Sequence, residues 1–283
     1  MAQEFIPKRP VVVAYSKMPE ASAEAEQVVA FLKEKGLDAP HGNIYDEDLR
    51  KKTKEGQFDV LIAMGGDGTM LRAGHLCAPS GVPILGIRMG RLGFLIQVQR
   101  AEWRPMLERL LRGEGWIEQR MMLKAEHIRA GETLAVWRAL NEVVVGRGLA
   151  LKAVRLVASV DGRPLTTYVC DGLIASTATG STAYALAAGG PILPPDLRNI
   201  LLVPIAPHLS VDRAVVLAEG ATVSILVKSE NSVISVDGQS SIALDENDRV
   251  EVRAAEYAAL FVRFGDPGYF YRNLNAHLNQ PHL

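Results

Sequence analysis

Five consecutive residues, Gly65-Gly66-Asp67-Gly68-Thr69, carry the densest chemical signal in the first half of the sequence. They follow the apolar run DVLIAM (59–64) and open a stretch with helical spacing. Glycines let the backbone turn sharply and approach a ligand with no Cβ in the way. A helix start presents free N–H groups and the positive end of a dipole, a ready phosphate site. Asp67 stands at the carboxyl end of the preceding strand, where open α/β sheets place their ligands. The plainer alternative is a Gly-rich turn with Asp67 as helix cap. No Gly-Lys-Ser/Thr follows, so the turn is not a P-loop, and its spacing is not GxGxxG.

A second block, DGLIASTATGSTAY (171–184), is dense in small and hydroxyl residues and runs into an Ala-rich segment ended by Gly189-Gly190-Pro191. It reads as a backbone-exposing loop followed by a helix start, with side-chain donors and acceptors gathered in a small space. Capping explains one or two of its hydroxyls, but leaves Asp171 and Tyr184 without a purpose. Asn141-Glu142 lie upstream on a strand-like run, LNEVVV, and Asp237-Gly238-Gln239 lie downstream.

These residues need a scaffold. Between residues 10 and 115 short apolar runs (11–16, 59–64, 82–87) alternate with helical patterns (23–33, 69–78, 102–112). That alternation predicts an α/β domain with a parallel sheet and helices on both faces. From about residue 116 the rhythm changes to β-rich runs at 134–145, 153–161, 166–169, 201–205, 221–227, 232–237 and 249–253, separated by Gly, Asp, Asn and Pro. Such spacing predicts an antiparallel, sandwich-like domain. A short helix is expected at 181–188 and another at 269–278. The expected organisation is therefore two-domain: 1–115 as the α/β domain carrying GGDGT, 116–258 as a β-rich domain, and 259–283 as a tail returning to the first domain.

Composition narrows the function. The 283 residues carry a formal net charge of −1, without the basic excess of a nucleic-acid or membrane-surface binder. No apolar run approaches the roughly 18 residues that span a bilayer, and the N-terminus lacks the apolar stretch of a secretory signal. The two cysteines, Cys77 and Cys170, show no metal-ligand spacing and read as small core residues. The expected compartment is the cytoplasm.

GGDGT after an apolar strand resembles the superfamily that unites NAD kinases with diacylglycerol and sphingosine kinases. The 171–184 block, with Asn141-Glu142 and Asp237-Gly238-Gln239 in order around it, resembles the NAD kinase family specifically, and the match runs from Lys17-Met18-Pro19 to the tail. The resemblance implies transfer of a phosphoryl group from ATP, or a similar donor such as polyphosphate, to the 2′-hydroxyl of the adenosine ribose of NAD. It implies Asp67 as general base and Gly65, Gly66, Gly68, Thr69 and Arg72 on the phosphate side. Asn141 and Glu142 would hold the adenosine portion, with Thr182, Ala183 and Tyr184, backed by Ala185, Leu186 and Ala187, packing on base and ribose. Asp171, Lys152 and Gln239 match positions that reach the dinucleotide, sometimes from a neighbouring subunit. Lys152 could equally be a solvated strand residue, Arg72 a helix-surface charge, and Gln239 the closure of a hairpin. The expected cofactor is a divalent cation such as Mg²⁺ arriving with the nucleotide, with no residues assigned to a metal cage. The expected assembly is a homodimer or homotetramer.

One stretch departs from the family, which carries Gly-Ile-Asn-x-Gly-x-Leu-Gly-Phe-Leu after the third strand. Here Arg88 replaces the Asn in GIRMGRLGFL (86–95). Its side chain is expected to project toward ligand and contact a phosphate, or else to face solvent or pair with an acid such as Asp266. Two rival readings remain: a lipid kinase of the diacylglycerol class, and a dinucleotide-binding sensor that has lost catalysis.

Overall fold

The computed structural model describes residues 5–90, 93–149, 152–208 and 212–278. The chain divides into two compact units, Met1–Gln119 with Ala258–Leu283, and Arg120–Tyr257.

The first unit contains β1 (Pro10–Ala14), α1 (Pro19–Glu34), β2 (His41–Asn43), α2 (Glu47–Lys54), β3 (Val60–Gly65), α3 (Asp67–Cys77), β4 (Ile84–Arg88), β5 (Val98–Gln99) and α4 (Trp103–Leu111). The strands are parallel in the order β2-β1-β3-β4, with β5 beside the end of β4. β1, β3 and β4 are buried along their whole lengths, as expected of parallel strands covered on both faces. Val12, Ile62, Leu85 and Ile87 point to one face and pack with Val28 and Leu32 of α1 and Leu107 of α4. On the other face Gly86 lets Met70 of α3 sit directly on the sheet, since a Cβ there would lie 2.7 Å from its sulfur. Both β2 and α2 are absent from the apolar pattern of the sequence. Helix α2 buries only Leu49 and Thr53 among charged residues, and Asp46 caps it by accepting the Leu49 N–H at 3.1 Å.

The chain passes to the second unit along β6 (Gly115–Arg129) and returns along β17 (Arg249–Phe264), and α6 (Tyr269–Leu278) follows. Between them lie β7 (Glu132–Ala139), β8 (Glu142–Arg147), β9 (Val154–Val160), β10 (Arg163–Cys170), β11 (Gly172–Ser176), α5 (Tyr184–Ala187), β12 (Asn199–Ile205), β13 (Val215–Ala218), β14 (Val223–Val227), β15 (Ser232–Val236) and β16 (Ile242–Leu244). Pairing is antiparallel in the orders β10-β9-β14-β17 and β13-β12-β11-β8-β15-β16. Inward residues of both sheets, among them Val143, Val145, Leu156, Tyr168, Ile225 and Ile234, form one core, the arrangement of a sandwich. Cys77 and Cys170 are buried thiols, free of any disulfide, and burial pushes Cys170 up to about 11.

The two-domain fold class agrees with the sequence reading, with two local corrections. The run 134–145 is not one strand: Leu140-Asn141 break it into β7 and β8. The block 171–184 is not a loop throughout, because its first third is β11, a strand buried along its whole length.

Candidate active site

In the first unit β3 ends at Gly65 and α3 begins at Asp67, with Gly66 as N-cap and no side-chain cap bond. Asp67 is therefore not the cap. Its carboxylate turns outward from the first turn, where Oδ2 accepts the Phe94 N–H at 2.8 Å and Oδ1 accepts the Leu95 N–H at 3.3 Å. Gly93 lies against the same carboxylate, and a Cβ there would collide with both oxygens. Thr69 is buried with its hydroxyl tucked beneath Gly65, which leaves Gly66 beside open space. Arg72, one turn along α3, donates to the Gly68 carbonyl at 2.8 Å and sits 6.0 Å from the Tyr15 ring and 5.6 Å from the Tyr45 ring. The turn thus offers a helix start, a half-engaged carboxylate and an exposed guanidinium.

Arg88 is engaged within the protein. It is 6% exposed, donating from Nη2 to the Ile96 carbonyl at 2.7 Å and from Nη1 toward Gln99 at 3.5 Å. That burial excludes a solvent position, and Asp266 pairs with Arg272 instead. The reason is topological: β5 pairs beside the end of β4, so that Arg88 stands opposite Gln99 and its side chain is enclosed by the 94–99 segment.

In the second unit the organising group is Asp237. With Gly238 it forms the centre of a tight hairpin turn, both residues at positive φ (47° and 66°), closed by the Gln239 N–H on the Val236 carbonyl. Its carboxylate accepts three successive backbone N–H groups, from Leu140 at 2.7 Å, Asn141 at 2.8 Å and Glu142 at 2.9 Å. The β7–β8 break is thereby fixed. The Asn141 carbonyl in turn accepts the Thr177 N–H at 2.9 Å and the Ser176 hydroxyl at 3.1 Å. Gly180 packs so tightly on that carbonyl that no Cβ would fit.

Much of the hydroxyl-rich block is consumed in holding itself together. Thr177 donates to the Leu140 carbonyl at 2.6 Å and accepts the Gly180 N–H at 3.0 Å. Ser181 donates to the Ala178 carbonyl at 2.7 Å and accepts the Leu193 N–H at 2.9 Å, and Thr182 donates to the Thr179 carbonyl at 3.2 Å. Beyond them Ala183 ends the tight turn and α5 starts at Tyr184. Ala185 is buried, Leu186 half-buried, and Ala187 and Tyr184 are exposed.

Glu142 is buried with one oxygen, Oε2, lacking a partner. Burial first, and then the neighbouring Asp237 charge, push its carboxyl up to about 7, opposed by the Tyr184 N–H. Tyr184, Asp171, Arg147, Ser235 and Ile205 line a concavity of about 430 Å³, and Arg147 pairs with Asp171 at 3.1 Å. Lys152 is not there; it lines a separate concavity of about 590 Å³ with Arg155, Lys228 and Glu230. Gln239 acts in the structure as the closing residue of the hairpin.

In the sequence two residues central to this geometry, Gly93 and Asp237, stand out only as parts of motifs. An Asp-Gly pair between two apolar runs is a hairpin signal, but nothing local marks the three amides that its carboxylate collects.

The model of the ATP-NAD kinase N-terminal domain matches residues 12–115, and that of the ATP-NAD kinase C-terminal domain matches residues 140–264. The chain is 39% identical over 272 residues to an NAD kinase of Chloroflexus aurantiacus, covering 95% of this chain and 98% of that one. It is 43% identical over 225 residues to an NAD kinase of Heliobacterium modesticaldum, with 79% of each chain covered. Among solved structures, an NAD kinase from Archaeoglobus fulgidus in complex with ATP superposes with a TM-score of 0.77 at 26% identity, covering 96% of this chain and all of that one. A yeast NADH kinase complexed with NADH shares the fold, with a TM-score of 0.85 at 22% identity, covering 98% of this chain and 90% of the other.

Proposed function

The chain belongs to the NAD kinase family, and from that premise we propose how its own residues divide the work. It is an NAD kinase, moving the terminal phosphoryl group of ATP to the 2′-hydroxyl of the adenosine ribose of NAD. Neither a lipid kinase nor a silent sensor is favoured by any observation.

Asp67 takes the acceptor proton. The ribose oxygen attacks the γ-phosphorus in line, the bond to the bridging oxygen of the donor breaks, and ADP leaves with that electron pair. The observation that supports this role is the carboxylate's setting at the end of β3: two amides hold it in orientation, while each oxygen keeps a lone pair for a hydroxyl. A positioned base of this kind is worth roughly 10²–10⁴ in rate. Gly66 and Gly68 expose backbone to the phosphates, Gly65 ends the buried strand before them, and Arg72 presents its guanidinium beside them, with Thr69 as the turn's buried prop. In-line placement and charge neutralisation, more than covalent chemistry, carry such transfers.

Asn141 and Glu142 hold the adenosine portion, with Ala183, Tyr184 and Asp171 alongside. Thr182, Ala185, Leu186, Ala187 and Gln239 support that surface, and Lys152 serves a dinucleotide only if a neighbouring subunit presents it. A homodimer or homotetramer belongs to the same proposal, as does a cytoplasmic location; no helix among the described residues is long and apolar enough to cross a membrane.

A divalent cation such as Mg²⁺ would travel on the donor phosphates, where it neutralises their charge. Among the described residues no three His, Cys, Asp or Glu side chains gather into a cage; Asp67, within the glycine-rich turn, is the carboxylate that would face such an ion.

The test is a coupled assay for NADP formed from NAD and ATP, run on the wild type and Asp67→Asn. The reading requires the variant to lose about a hundredfold in turnover with NAD affinity little changed. A variant keeping more than about a tenth of wild-type turnover removes Asp67 as base.

A further inference from the structure

Four polar backbone groups in the 94–96 segment are each held by a charged side chain. The N–H groups of Phe94 and Leu95 go to Asp67. The Leu95 carbonyl accepts from Arg263 at 2.9 Å, and the Ile96 carbonyl accepts from Arg88 at 2.7 Å. Arg263 is itself anchored, donating to Glu118 at 2.7 Å, and Glu118 also accepts from Tyr269. Gln97 then donates to the Phe264 carbonyl and accepts its N–H. A short segment that carries no helix, and only β5 after it, is thus held by side chains from several elements, and the Asp67 carboxylate is one of its grips.

Arg88 is the member of this set that stands where the resembled family pattern has Asn. It is buried at 6% exposure and its Nε has no partner. An unpaired buried donor costs free energy, and isolated buried charge is disfavoured further. Burial weakens the guanidinium's hold on its proton, while the Asp67 and Glu102 carboxylates strengthen it. A residue kept in so costly a setting needs a return, and the geometry offers one. Arg88 holds the 94–96 segment at its Ile96 carbonyl, and the Phe94 and Leu95 amides of the same segment orient Asp67.

We propose that Arg88 is a positioning residue for Asp67: by fixing the Ile96 carbonyl and Gln99, it holds the Phe94 and Leu95 amides where they aim the carboxylate at the acceptor hydroxyl. The proposal rests on the reading of Asp67 as base. It contradicts a direct phosphate role, which would act on substrate binding. Positioning acts on turnover, because misplacing a catalytic group by about an ångström can cost roughly a hundredfold.

The experiment is a double-mutant cycle of Arg88→Met with Asp67→Asn, alongside Arg88→Lys, each checked for cooperative thermal unfolding. Arg88→Met should lower kcat about tenfold or more and leave both Michaelis constants within about twofold. Arg88→Lys, which keeps the charge and one donor, should recover part of the loss. In the Asp67→Asn background Arg88→Met should change kcat by less than about threefold, because there is no carboxylate left to aim. A full, additive loss in the double variant, or a Michaelis-constant rise as the main effect, overturns the role of Arg88 while leaving Asp67 intact. A single Asp67→Asn variant with near-normal turnover overturns the base reading first and the positioning role with it. Should Arg88→Met fail to fold, the cycle is run with Arg88→Lys, whose loss of kcat must likewise vanish without Asp67.

Discussion

The carboxylate of Asp67 lies directly against the Cα of Gly93, so that a methyl group at residue 93 would occupy the space of both carboxylate oxygens. Gly93 is therefore part of the machinery that orients Asp67, although it offers no functional group. Gly93→Ala is expected to displace the carboxylate from the Phe94 and Leu95 amides and to lower kcat by about tenfold or more. Steady-state kinetics checks this, and a variant with wild-type kcat would show that the carboxylate is free to move aside.

Asp237 anchors the β7–β8 break through three charge-assisted bonds. Asp237→Asn keeps a side chain that tolerates positive φ but loses the charge and one acceptor. The expected cost is about 2–4 kcal/mol in stability, with a weaker affinity for NAD because Asn141 loses its footing. Urea denaturation and calorimetry measure the two effects, and stability within about 0.5 kcal/mol of wild type would deny the anchor.

Glu142 gives a pH dependence with a definite sign. Its carboxyl is raised in the folded state from the ordinary 4.5 to about 7. The folded protein therefore binds a proton that the unfolded chain releases, so stability is greatest below the unfolded value and declines as pH rises toward 7. Glu142→Gln, which cannot ionise, should match the wild type near pH 5 and exceed it near pH 8 by about 2 kcal/mol. Melting curves of the ligand-free proteins at both pH values check this; a constant difference between them would mean that Glu142 ionises freely when folded.

Asn141→Ala should weaken NAD binding by about 1–3 kcal/mol, the cost of stranding a polar partner, while leaving ATP affinity unchanged. Calorimetry with each nucleotide separates the two. Unchanged NAD affinity would make Asn141 a backbone fixture only, valued for the carbonyl that receives Ser176 and Thr177.

The site motifs were visible in the sequence because their residue types are unusual where they stand. A run of glycines around one acid after an apolar strand, and hydroxyls packed against alanines, have few local explanations. The domain halves were visible because buried parallel strands are continuously apolar and sandwich strands alternate. Elements without an apolar signal were not: α2 buries two side chains, and β2 is three residues long. The division of labour within the 171–184 block was also hidden. Whether a hydroxyl faces a ligand or a carbonyl depends on the strand beside it, and Ser176 is turned inward by its pairing with Glu142.

Sequence alone determined the fold class, the family and the glycine-rich turn that carries Asp67, since each rests on local pattern and chain order. Tertiary structure decided what Arg88, Gly93 and Asp237 do. Arg88 looked like a ligand contact because an arginine after a buried strand has charge to offer. It is instead enclosed because β5, ten residues later, pairs beside β4 and brings the Ile96 carbonyl to its guanidinium. Asp237 collects the amides of residues 140–142 from nearly a hundred positions away. Hydrogen bonds of such separation are set by sheet register, which no local stretch of sequence contains.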